Sequence, residues 1–168
     1  MSGSLSYALY ADTPVVCRFS PPSEAWCLRA DRRNGAFERC DRLLRPLWIG
    51  TDSDVTPLGS REEFVQELER FRGRWLTGDG PVFALYRTIR GLEELARLQG
   101  RRLTPEERAL IRRLRLGAHE LFEAELRQQG LTGTPPEPDA PHTRPVSGSA
   151  DGGRPARLTD DGTRPAAD

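Results

Sequence analysis

The chain has 168 residues, 36% of them apolar and 30% charged, which leaves room for one domain and too little for two. Its 25 basic residues are all arginine and its 25 acids cancel them, which excludes a polycationic nucleic-acid coat and an acidic solvating tail. A lysine-free chain reflects the codon bias of a GC-rich genome, so the placement of the arginines is informative and their number is not.

Residues 1–5 show no basic segment leading into an apolar run of about 7 to 15 residues, the mark of a secretory leader. The longest apolar stretches, such as residues 81–86, fall short of the roughly 18 residues that span a bilayer. A cytoplasmic protein with no membrane partner is expected. Cys17, Cys27 and Cys40 form no C-x-x-C pair, so reduced thiols are expected, with neither a disulfide framework nor a metal site. Cys17 shares the parity of Val15 and Phe19 and reads as a small core residue.

Residues 5–10 read as a first strand, set off from the second by Asp12-Thr13-Pro14. Val15, Cys17 and Phe19 then alternate with Val16 and Arg18, and Trp26 and Leu28 alternate with Cys27 and Arg29, the period-two pattern of half-buried strands. Asn34-Gly35 tolerates positive φ and marks a hairpin between residues 25–30 and 36–40. Residues 41–48 read as a helical turn interrupted by Pro46, and Thr56-Pro57-Leu58-Gly59 as a polar loop.

Three helices follow. Ser60 and Glu63 make an S-x-x-E capping box ahead of Phe64, Val65, Leu68, Phe71 and Trp75 on one arc. Pro81 opens the second helix, with Val82, Leu85, Tyr86, Ile89, Leu92 and Ala96 as its stripe and Gly100 as its stop. Thr104 and Glu107 cap the third, whose stripe is Leu110, Ile111, Leu114, Ala118, Leu121 and Phe122. The fold class expected is α+β: a small N-terminal antiparallel sheet of three or four short strands, with about three C-terminal helices packed on one of its faces.

This domain is expected over residues 1–130. From Leu131 onward the composition changes, with seven of the 14 prolines and no Phe, Trp or Tyr, too little apolar area to offset the entropy of ordering. Residues 131–168 are expected as a disordered Pro/Gly/Arg-rich tail, in which Arg144-Pro145, Arg154-Pro155 and Arg164-Pro165 recur every ten residues.

On the last helix Arg108, Arg112, Arg115 and His119 keep within about 60° of one another at 100° per residue. With Arg101 and Arg102 just ahead, these six residues are the candidate partner-binding set, weighed against a plain solvated helix flank. A helix-turn-helix reading fits less well, because the arginines lie beside the core face and few Asn, Gln or Ser residues are there to read bases. No nucleophile elbow, Walker loop, G-x-G-x-x-G, H-E-x-x-H or EF-hand sequence occurs, and His142 lies in the tail. No catalytic residue, cofactor or metal is expected. The function expected is that of a non-enzymatic cytosolic binding or regulatory protein that contacts another protein or a second copy of itself. The alternative is a nucleic-acid-binding accessory protein that uses the arginine stripe.

Overall fold

The computed structural model describes residues 5–19, 25–49 and 53–136; the Arg-Pro repeats and His142 lie outside them. Strands β1 (Leu5–Tyr10) and β2 (Thr13–Arg18) are joined by Ala11 and Asp12, both at positive φ (45° and 61°), the hairpin turn whose twist matches that of the strands. With β3 (Trp26–Ala30), β4 (Phe37–Arg39) and β5 (Val55–Leu58) they form a five-stranded antiparallel sheet in the order β4-β3-β2-β1-β5. The expected α+β layout is present, with one strand more. Residues 56–58, expected as loop, pair with β1 on one side only, and an edge strand tolerates Pro57.

Strand β2 is buried on both faces, where alternation implied one. The reason is that helices cover both sides of the sheet. On one face Tyr7, Val16, Ala30 and Phe37 pack against Phe64, Leu68 and Phe71 of α2 (Arg61–Trp75). On the other, Val15, Cys17, Cys27, Cys40 and Leu43 lie under Leu44 and Leu47 of α1 (Leu44–Ile49). A 3-10 turn at Asp41–Leu43 leads directly into α1, and Pro46, the third residue of α1, does not end the helix.

The expectation of three reduced thiols is corrected. Cys17 and Cys27 face each other across β2 and β3 with Cα atoms 4.2 Å apart and pair as a disulfide, while Cys40 is buried and free. Parity placed Cys17 inside, but only strand register brings Cys27 opposite it.

Helix α2 starts at Ser60, whose hydroxyl accepts from the Glu63 N–H. Helix α3 (Pro81–Leu98) opens on its proline, and α4 (Pro105–Gln128) on the reciprocal Thr104–Glu107 box. The three were expected side by side on the sheet. Instead only α2 of the three lies on the sheet, on the face opposite α1, and the α3–α4 hairpin packs on α2 and the β3–β4 turn, burying Val82, Tyr86, Ala118, Phe122 and Leu126 with Leu76 and Ala36. The buried stripe of α4 is thus Ile111, Ala118, Phe122 and Leu126, while Leu110 and Leu121 are exposed. Trp75 also turns outward, under the guanidinium of Arg32.

Past Gly130 the chain stays tied to the domain. The Thr132 carbonyl accepts from Phe37 N–H (2.8 Å), Thr134 donates twice to Glu123, and the Pro135 carbonyl accepts from Arg61 (2.8 Å). The described chain therefore continues six residues past the expected boundary, held by backbone contacts that composition does not register.

Candidate functional site

A cluster of polar side chains lies where α2, α3 and α4 meet. Glu69 and Arg72, three residues apart on α2, have side chains with no solvent exposure. Arg72 donates to Glu69 Oε1 (2.7 Å), to Glu123 Oε1 (3.0 Å) and twice to the Gly35 carbonyl (3.1 and 2.9 Å), and stacks 4.3 Å from the centre of the Phe122 ring. Glu69 also accepts from Tyr86 Oη (2.5 Å) and from His119 Nδ1 (3.0 Å). A carboxylate has only acceptors, so Nδ1 of His119 carries the hydrogen in this contact. Burial, then the neighbouring Glu69 carboxylate, push the Tyr86 hydroxyl far above its usual range. Burial raises the Glu123 carboxyl, but the Arg72 charge and the bonds from Arg72 and Thr134 outweigh it and leave it below the usual range.

Every member of this cluster is bonded to another. Among the described residues His119 is joined to Glu69 and Glu123 and to no hydroxyl or thiol that it could activate, so the arrangement is a clamp between layers. Gly35 is where the clamp grips the sheet: its φ is 68°, and a Cβ there would sit 2.8 Å from both Leu76 and Phe122.

Beside the clamp, a groove of about 580 Å³ lies between α2 and α4. Glu62, Glu63, Glu67 and Arg70 stand on the α2 side, Arg108, Arg112 and Arg115 on the α4 side, Glu93 comes from α3, and Ile111 lies within. The walls carry opposite signs and the sum is zero. Near one end of this groove the Arg101 guanidinium forks onto Glu107 (2.7 and 2.8 Å). Glu107 also accepts from the Thr104 N–H, and the two bonds, that from Arg101 the larger influence, take its carboxyl from 4.5 to about 2.

The six sequence candidates therefore separate. Arg108, Arg112 and Arg115 do line one groove. Arg108 donates to the Leu103 carbonyl (3.0 Å), Arg115 to Glu93 (3.0 Å), and Arg112 is exposed. Arg101 fastens the loop before α4, and Arg102 is exposed on that loop. His119 belongs to the clamp, with its side chain 12% exposed, which corrects its place on a solvated flank: α2 covers that side of α4. Glu69 and Arg72 were missed, whereas Glu123 stands one turn from His119, the i,i+4 spacing that pairs them on a helix, at 3.9 Å. The signal was present, since Glu69 and Arg72 stand four and seven residues after Val65, in slots where the apolar period calls for a core residue.

No protein-family model matches the chain, and neither a curated protein nor a solved structure matches it. Among the described residues no helix is long and apolar enough to cross a membrane, and no group of His, Cys, Asp and Glu side chains is placed to hold a metal ion.

Proposed function

We propose that this protein is a binding module that takes a polypeptide segment of mixed charge in the groove between α2 and α4. The observation that carries this reading is the dipolar wall pair, glutamates on α2 facing arginines on α4. A segment with acids on one side and bases on the other matches both walls. A phosphate backbone would gain from the arginines and be repelled by the glutamates, so the nucleic-acid alternative has less support. The pairing of Cys17 with Cys27 removes the thiol argument for a reducing compartment, and the proposal is made without one.

The test compares capture from the native host by the wild-type chain, by Arg108→Gln/Arg112→Gln and by Glu62→Gln/Glu67→Gln. The same protein should be lost from both variants, with a shallow dependence on salt. Retention of DNA or RNA that falls steeply with salt and is lost only from the arginine variant would replace this reading with the alternative. Unchanged capture by both variants would overturn it.

A further inference from the structure

The side of α4 that faces away from its core carries a pattern that reads alike in both directions once charge is inverted. About the midpoint between Leu116 and Gly117, Arg113 mirrors Glu120, Ala109 mirrors Ala124 and Glu106 mirrors Arg127. At 100° per residue these eight positions fall within an arc of about 100°, opposite the arc of Ile111, Ala118, Phe122 and Leu126. Six of them are exposed, and Gly117 and Ala124 are half-buried.

The charges on this face are spaced by seven, a distance at which neighbours on one helix do not meet. Arg113 has only Ala109, Leu110, Leu116 and Gly117 three and four residues away, so it finds no acid on its own helix at pairing distance. Glu120 likewise has no base among Leu116, Gly117, Glu123 and Ala124. An antiparallel helix of the same sequence supplies what Arg113 and Glu120 lack. It sets Arg113 against Glu120 twice and Glu106 against Arg127 twice, places alanine on alanine, and seats each Leu116 over the other copy's Gly117, beside Leu85 of α3. This is the self-complementarity that a two-fold interface requires.

We propose that the protein self-associates through the outer face of α4, with two copies antiparallel about an axis between Leu116 and Gly117. The groove arginines lie on a different side of the same helix, so this inference stands apart from the groove. Leu110 and Leu121, both exposed, border the contact and add apolar area to it.

Sedimentation equilibrium of the full chain from micromolar to several hundred micromolar tests it, using Arg113→Glu, Glu120→Arg and an equimolar mixture of the two. The wild type should show a reversible monomer–dimer equilibrium. Each variant alone opposes like charges at two places and should dimerise at least about tenfold more weakly. In the mixture both central pairs become attractive again, so a heterodimer should recover near wild-type affinity, a result that misfolded variants cannot give. A wild type that stays monomeric throughout, single variants that dimerise as the wild type does, or a mixture no tighter than its components would each overturn the proposal.

Discussion

Replacing Arg72 by alanine would leave the Glu69 carboxylate buried without its counter-charge and the Gly35 carbonyl without either guanidinium bond. Uncompensated buried charge is costly, so Arg72→Ala should lower unfolding free energy by about 3 to 5 kcal/mol in urea titration. Several carboxylates share the acid response: Glu123, Glu107, Glu106, Glu94 and Asp41 all lie below their usual range in the folded chain, Glu107 at about 2. A depressed folded value means that the stabilisation is complete above the unfolded value and is lost as pH falls through the folded one. The melting temperature should therefore decline from about pH 4.5 toward pH 2, and less steeply in Glu107→Gln. The cysteines give a covalent check: denaturing alkylation without reductant should label one thiol, Cys40, and with reductant all three. Three labels without reductant would contradict the Cys17–Cys27 bond.

Among the elements, those with local signals were legible and those completed by distant partners were not. Ser60, Thr104 and Glu107 announce helix starts because a cap is satisfied within four residues of itself, and Pro81 announces one because its fixed φ and missing N–H suit the first helical position. Asn34-Gly35 announces its hairpin for the same reason. The strand at Val55–Leu58 has no such signal and exists because β1 offers it an edge; the burial of Glu69, Arg72 and His119 likewise depends on how α2, α3 and α4 are stacked. Apolar periodicity placed each helix's inward face to within one row of residues, which is why Leu110 was read as core and is exposed while its neighbour Ile111 is buried. The two should differ on truncation. Ile111→Ala should cost about 2 to 5 kcal/mol, whereas Leu110→Ala should stay within about 0.5 kcal/mol for the isolated fold. Equal losses by thermal melting would mean that α4 is rotated from the orientation described.

The molecule as a whole is held together across its layers by a few chain segments, and the one after α4 is exposed to a simple cut. A chain ending at Gly130 lacks the Thr134 bonds to Glu123 and the Thr132 carbonyl that accepts from Phe37. Each bond contributes about 0.5 to 1.5 kcal/mol, so its melting temperature should fall by several degrees, while a chain ending at Pro136 should melt as the full chain does. Identical melting of both would show that residues 131–136 add nothing. The same view of the whole molecule bears on its solubility. The sheet terminates in β4, only three residues long, and in β5, where Pro57 faces Ala8. The two-residue β1–β2 turn sets the hydrogen-bond alternation that turns the Ala8 amide toward β2, so the missing N–H of Pro57 is one that would have pointed outward. Among the described residues neither border offers an incoming strand a continuous ladder on which templated β-growth could begin. Copies crowded together at high concentration should leave thioflavin fluorescence flat over days, and Pro57→Val is the single change that should begin to raise it.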